Sequence, residues 1–263
     1  VPSYTFASTA SAFVRAGAMP VFVDIREDTL NLDEERLEDA ITDRTRAIVP
    51  VHYAGVGCEM DRIMEIAAKR QLMVIEDAAQ GVNARYRSLV LGGIGHLGAY
   101  IFHENKNYIC GEGGALCVND TSLLERAEII RDKGTNRKNF ERGKVDKYTW
   151  VDMGSSYVPS EILSAFLYAQ LEMFETISER RKQLFELYEH SLKPLADDGL
   201  LRLPLIPRHC ESNYHMFYIL VRDQAQRDNL IEYLKERNVQ AVFHYVPLHS
   251  SPMGVKITGG GAS

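Results

Sequence analysis

Leu72-Met73-Val74-Ile75-Glu76-Asp77-Ala78-Ala79-Gln80-Gly81 is the stretch that decides the fold. Four apolar residues run without interruption into two carboxylates and a string of small residues, the pattern of a buried strand that ends at a polar edge. Upstream, Pro20-Val21-Phe22-Val23-Asp24 and Ala47-Ile48-Val49-Pro50-Val51-His52 repeat the pattern, and downstream Ala99-Tyr100-Ile101-Phe102-His103 does so again. Between them, residues 33–42 and 59–70 have helical spacing, with Ile63, Ile66 and Ala67 on one face. This alternation predicts an α/β fold, a mostly parallel sheet with helices on both faces. The sheet continues past residue 106 through a strand at 115–118, and Asn119-Asp120-Thr121 opens a helix that runs to Arg131.

The C-terminal half changes rhythm. Ser160 is an N-cap for a long helix toward Leu192, with Glu161 in its first turn and Ile162, Phe166, Ala169 and Phe174 along one stripe. After Pro204 and Pro207 a strand at 215–221, a helix at 227–237 and a strand at 241–245 suggest a small α+β domain. The expected division is a large cofactor-binding domain over 1–160, a connecting helix over 161–203 and the small domain over 204–263. Val1 at one end and Gly259-Gly260-Gly261-Ala262-Ser263 at the other read as cut ends, so a fragment is expected.

With 263 residues and 45% hydrophobic content the chain can bury a substantial core, which excludes disorder as its main state. The formal charge of -6 is spread out, with no basic block to meet a phosphate backbone, so nucleic acid is not an expected partner. Cys58, Cys110, Cys117 and Cys210 stand singly, without metal-site or disulfide-framework spacing. No apolar run approaches the roughly 20 residues that cross a bilayer. A cytoplasmic protein with reduced thiols, no metal and no membrane contact is the expectation.

Open α/β sheets hold ligands beyond the carboxyl ends of their strands, where this sequence places His52, Asp77 and Lys106. Alone, Asp77 reads equally as a helix cap, Lys106 as a solvated lysine, His52 as a structural histidine, and Gly111-Glu112-Gly113-Gly114 as a chain reversal. Together, an acid and a lysine are what pyridoxal-phosphate (PLP) chemistry requires. The amine forms a Schiff base, and the carboxylate keeps the pyridine nitrogen protonated so that the ring withdraws electrons. A free lysine has a pKa near ~10.4, so a neutral amine at pH 7 requires a shift of about 3 units, roughly 4 kcal/mol. Released from the cofactor, the same amine can carry a proton between substrate and cofactor carbons. A nicotinamide oxidoreductase would share the strand rhythm, but no G-x-G-x-x-G follows the first strand.

Tyr4-Thr5-Phe6, Pro50-Val51-His52-Tyr53-Ala54-Gly55, Glu76-Asp77-Ala78-Ala79-Gln80 and Phe102-His103-Glu104-Asn105-Lys106-Asn107, then the glycine turn, resemble the DegT/StrS-type sugar aminotransferases in order and spacing. The resemblance covers essentially the whole chain and implies the fold-type I architecture of PLP-dependent transferases. It implies that Lys106 forms the Schiff base, Asp77 contacts the pyridine nitrogen, Gln80 the ring hydroxyl, and Phe6 stacks on the ring. Ser156, in Gly154-Ser155-Ser156-Tyr157, would serve the cofactor phosphate of a neighbouring subunit, which implies a homodimer with shared sites. Tyr53, His244, Tyr245 and His249 would line the sugar end; by themselves the last three read as readily as an aromatic edge strand. Lys133-Gly134-Thr135-Asn136-Arg137, Val145-Asp146-Lys147-Tyr148-Thr149-Trp150 and Phe243-His244-Tyr245-Val246-Pro247-Leu248-His249 resemble members that aminate dTDP-4-keto-6-deoxyglucose. The implied partners are a nucleotide-sugar substrate and an amino-acid donor, glutamate, in cell-surface polysaccharide synthesis. A branch of the family that dehydrates its sugar has histidine in place of the cofactor lysine, and Lys106 argues against it.

Two departures stand out. Ile101 occupies the place, five before the lysine, where the family carries a phosphate-binding serine. The family's phosphate-cradling loop precedes the segment resembling Val1 and is not in this sequence. Together they keep open a non-catalytic or regulatory homologue as the alternative.

Overall fold

The computed structural model describes residues 1–259. Its strands are β1 (Ala47–Ile48), β2 (Met73–Asp77), β3 (Arg85–Tyr86), β4 (Leu89–Val90), β5 (Leu97–Ile101), β6 (Gly114–Val118) and β7 (Cys210–Glu211). Its helices are α1 (Ala7–Arg15), α2 (Leu37–Ala40), α3 (Met60–Arg70), α4 (Leu124–Arg131), α5 (Arg137–Glu141), α6 (Glu161–Glu172), α7 (Phe174–Asp197), α8 (Gln224–Lys235) and α9 (Pro252–Thr258). The main sheet has the order β1-β2-β5-β6, with the first two pairings parallel and the last antiparallel. β4, β3 and β7 form a small antiparallel sheet beside it. The expected mixed α/β architecture with a mostly parallel sheet is thus the one observed.

The core follows from the apolar spacing. Helix α3 begins with Asp61 in its first turn and ends with Lys69 and Arg70 in its last, charges that complement the helix dipole. It stops where Gln71 turns left-handed at φ 55°. Its Met60, Ile63, Ile66 and Ala67 pack with Ile48, Val56, Leu72 and Val74. Each fully buried isoleucine there contributes roughly 2 kcal/mol of transfer free energy.

On β2 the strand period sends Val74 and Glu76 into the interior and Ile75 and Asp77 to the half-exposed face. Glu76 is wholly buried and is met by a loop folded onto the sheet. Its Oε1 accepts from the amides of Ile94 and Gly95 at 2.7 and 2.6 Å, and its Oε2 from Gly92 N at 2.7 Å and His52 Nε2 at 2.9 Å. That loop can close only because residue 98 is glycine: a Cβ there would lie 2.1 Å from the Gly92 carbonyl oxygen. Burial alone would raise the Glu76 pKa; the His52 ring and the backbone amides outweigh it and hold the carboxyl below its ordinary range.

Several expected elements take another form. Residues 20–24 make no ladder, only a single parallel bridge between Val23 and Pro2. Residues 215–221 form one bridge, Arg202 to Leu220, and 241–245 form none, because these extended stretches have no full-length strand alongside among the described residues. Residues 33–42 divide into a 3-10 turn (Glu34–Arg36) and the short α2. Ser160 does cap α6, accepting from Leu163 N at 3.3 Å, but the helix is rotated from the expected stripe. Leu163, Leu167, Phe174 and Ile177 pack on Phe102, Tyr108 and Cys110, while Ile162, Phe166 and Ala169 face outward. No helix among the described residues is long and apolar enough to cross a membrane, no metal-binding cluster occurs among them, and the four cysteines are free thiols.

Candidate active site

Asp77 stands at the carboxyl end of β2, and Lys106 lies in the loop between β5 and β6. The Asp77 carboxylate is aimed by two bonds: Oδ2 accepts from the Thr9 hydroxyl at 2.6 Å, and Oδ1 from Ala79 N at 3.1 Å. Thr9 is itself buried on α1 and paired with the Thr5 hydroxyl at 2.9 Å. A carboxylate so held keeps acceptor capacity for a further donor.

Lys106 lines a small open recess with Ala79, Gln80, Val82, Ile101, Asn107, Tyr108, Asn213 and His215. Burial pushes its amine below the ordinary lysine value, and the Asp77 charge opposes that only in part. This is the direction in which an amine becomes a nucleophile. Gln80 is buried; its Oε1 accepts from Ala54 N at 2.7 Å and its Nε2 donates to the Tyr245 hydroxyl at 3.4 Å, leaving one N–H free. Phe6, the residue before α1, is 64% exposed, so its ring face is available rather than packed into the core.

The residues expected at the sugar end divide. Tyr53 is buried in an aromatic cluster with Tyr4, Tyr218, His244 and Tyr245, its hydroxyl 3.3 Å from His244 Nδ1. Tyr245 joins that cluster to Gln80, and burial pushes its phenol up to about 12. Burial, then the Lys106 charge, lowers the His244 pKa. His249 is exposed on a 3-10 turn (Leu248–Ser250) and is not among the residues of that cluster. Ser156 is exposed too, with its backbone bridged to Asp132 and its side chain outside the recess. His52 is fully buried; its Nδ1 accepts from Cys58 N at 3.1 Å, so its Nε2–H donates to Glu76.

Sequence reasoning missed the residues that hold this arrangement from a distance. Asn213 donates to the carbonyls of Gln80 and Val82, each at 2.8 Å, and Asn107 donates to the Asn213 carbonyl at 2.8 Å. Neither Thr9 nor Asn213 carries a local signal, since each partner is remote along the chain. Asn107 does carry one local signal, its position next to Lys106.

These residues fit the ring of PLP. Lys106 offers a desolvated amine, Asp77 an oriented carboxylate and Gln80 a spare donor, whereas the Ile101 side chain brings no donor for a phosphate. The sequence pattern of the DegT/DnrJ/EryC1/StrS aminotransferase family matches residues 1–260. The chain belongs to this family. Aminotransferases of the DegT family use PLP. The chain is 36% identical over 262 residues to an uncharacterized protein of Methanocaldococcus jannaschii, covering 97% of this chain and 67% of that protein. It is 31% identical over 255 residues to the spore coat polysaccharide biosynthesis protein SpsC of Bacillus subtilis, covering 94% of this chain and 65% of SpsC. Among solved structures, DesV of S. venezuelae, in complex with a ketimine intermediate, superposes with a TM-score of 0.85 at 33% identity, covering 97% of this chain and 66% of DesV. The DegT-family chain described here thus spans about two thirds of the length of these relatives.

Proposed function

We propose that this chain serves a PLP-dependent aminotransferase that moves an amino group, from glutamate, to C4 of a nucleotide-linked keto-deoxy-sugar of the dTDP-4-keto-6-deoxyglucose type. The observation that carries the reading is the pairing of Asp77, fixed by Thr9 and Ala79, with a Lys106 amine depressed by burial. PLP, when bound, supplies the electron-withdrawing ring. Lys106 would hold its aldehyde end, Asp77 its pyridine nitrogen, Gln80 its ring hydroxyl, and Phe6 its face. Lys106, once free, moves the proton at the reacting carbon, an act that requires a neutral amine near pH 7. Tyr53, His244 and Tyr245 would border the sugar, with His249 on the outer side.

The reading extends to a cytoplasmic homodimer in cell-surface polysaccharide synthesis, with Ser156 at the neighbouring subunit's cofactor phosphate. Around Ser156 the chain exposes Trp150, Met153, Tyr157, Ile162 and Phe166, an apolar band of the kind protein interfaces cover. Ile101 favours the alternative, a homologue that keeps the fold without turnover. The test is incubation of the complete protein with PLP, glutamate and candidate keto-sugars, reading amino-sugar by mass. Product that disappears in Lys106→Ala is expected. A complete protein that forms no borohydride-reducible PLP adduct belongs to the alternative.

A further inference from the structure

Thr5 and Thr9 both bury a hydroxyl beside the candidate site. A hydroxyl taken out of water costs free energy unless it is hydrogen-bonded, and valine, of nearly the same shape, would avoid that cost. The bonds these hydroxyls make run in one direction. Oδ2 of the Asp77 carboxylate can only accept, so the Thr9 hydroxyl, 2.6 Å away, donates to it. Having given its one hydrogen, Thr9 Oγ1 accepts at 2.9 Å, and the donor is the Thr5 hydroxyl. A helical threonine commonly returns its hydroxyl to the carbonyl one turn back. Thr9, in the first turn of α1, reaches instead to a carboxylate 68 positions along the sequence.

The other carboxylate oxygen, Oδ1, is held at 3.1 Å by Ala79 N, only two residues on. Thr9 supplies the second point from a separate element, and two points fix the plane of a carboxylate that one would leave free to turn. The same segment carries Phe6: Thr9 N donates to the Phe6 carbonyl at 3.1 Å, and Thr5 precedes Phe6 directly. Phe6 and the Asp77 carboxylate are therefore set relative to each other by one local unit.

We propose that Thr9 is a positioning residue for Asp77, and Thr5 for Thr9, a serial relay of hydroxyls that holds the carboxylate plane toward a cationic N–H on the edge of a flat ring lying against Phe6. A carboxylate fixed in this way makes a short, straight charge-assisted bond to such a donor, and a tilted one does not. Donation from Thr5 polarises the Thr9 hydroxyl and strengthens its bond to Asp77. The inference rests on Asp77 being the ring-nitrogen partner of the proposed transaminase, and it makes that nitrogen the feature for which the relay selects.

The complete protein, stripped of cofactor, is titrated by fluorescence with PLP and with its carbocyclic analogue, in which CH replaces the ring nitrogen. The parent is expected to prefer PLP by at least about 10-fold, the worth of one charge-assisted hydrogen bond. Thr9→Val removes the donor at nearly constant shape, and its preference is expected to fall at least about 3-fold through weaker PLP binding, with the analogue unaffected. Thr9→Ser keeps the donor and is expected to restore the parent preference. Thr5→Val should lower the preference less and add no further loss to Thr9→Val, because Thr5 reaches Asp77 only through Thr9. An undiminished preference in folded Thr9→Val, or equal weakening of both ligands, overturns the proposal. Where Thr9→Val does not fold, Thr5→Val decides, and an unchanged preference there overturns the relay. A parent that binds the two ligands equally, or binds neither, rejects the cofactor reading itself and the relay with it, so the parent alone tells the two failures apart.

Discussion

Glu76→Gln should unfold this protein more readily than any isosteric change has a right to. Each carboxylate oxygen accepts two hydrogen bonds: Ile94 N and Gly95 N at one, Gly92 N and His52 Nε2 at the other. Whichever way a glutamine amide is turned, its NH2 meets two N–H groups that then have no acceptor. His52 cannot adapt by moving its proton, because its Nδ1 already accepts from Cys58 N. Two hydrogen bonds to a charged acceptor, at about 1.5–3 kcal/mol each, give an expected loss of about 3–6 kcal/mol. Against a typical total of about 5–15 kcal/mol that is a large fraction. Urea denaturation should show it as a fall in midpoint with little change in slope. The pH dependence supplies the second signature. The folded-state pKa of Glu76 lies below the ordinary value of 4.5, so its contribution is present above that value and fades as pH falls through the folded pKa. Parent stability should therefore decline below about pH 4.5 by more than that of the variant. A loss under about 1 kcal/mol, or identical acid profiles, would refute the socket as a source of stability.

Asp77→Asn should leave the unfolding free energy from urea denaturation within about 1 kcal/mol and lower turnover of the complete enzyme at least ~100-fold, measured as amino-sugar formed per enzyme, because the ring nitrogen loses its charged partner. Ile101→Ser places a hydroxyl in the recess and should tighten PLP about 10-fold or more by fluorescence titration, the worth of one charge-assisted hydrogen bond. Gly55→Ala should destabilise by about 2 kcal/mol or more in the same urea assay, since φ is +79° and the new Cβ would lie 1.9 Å from Asn213 Oδ1.

The buried framework was legible because its apolar runs are strong and local. The β2 segment and the face of α3 carry their own periodicity, and both formed as the pattern predicts. Residues 20–24 and 241–245 have equally apolar composition, but a strand requires a partner, and partners are set by tertiary placement that no local window contains. The helix beginning at Glu161 shows the converse. Apolar residues stand on both of its sides, so their spacing alone did not decide between Ile162 and Phe166, which are exposed, and Leu163 and Leu167, which pack inward. For the candidate site, Asp77 and Lys106 could be named from their strand-end positions, and Gln80 and Phe6 from the resemblance. Thr9 could not, since nothing near it in sequence announces a carboxylate 68 positions away.

The adjacency of Glu76 and Asp77 has an evolutionary side. Neighbours on a pleated strand point to opposite faces, so one acid is sealed in a cage of amides while the next lies on the half-exposed face, held by Thr9 and Ala79. A shift of β2 by one residue would leave only one of the two places with an acid, putting either Ile75 in the cage or Ala78 at the open face. An insertion or deletion within this strand would therefore empty the cage and displace Asp77 in a single stroke.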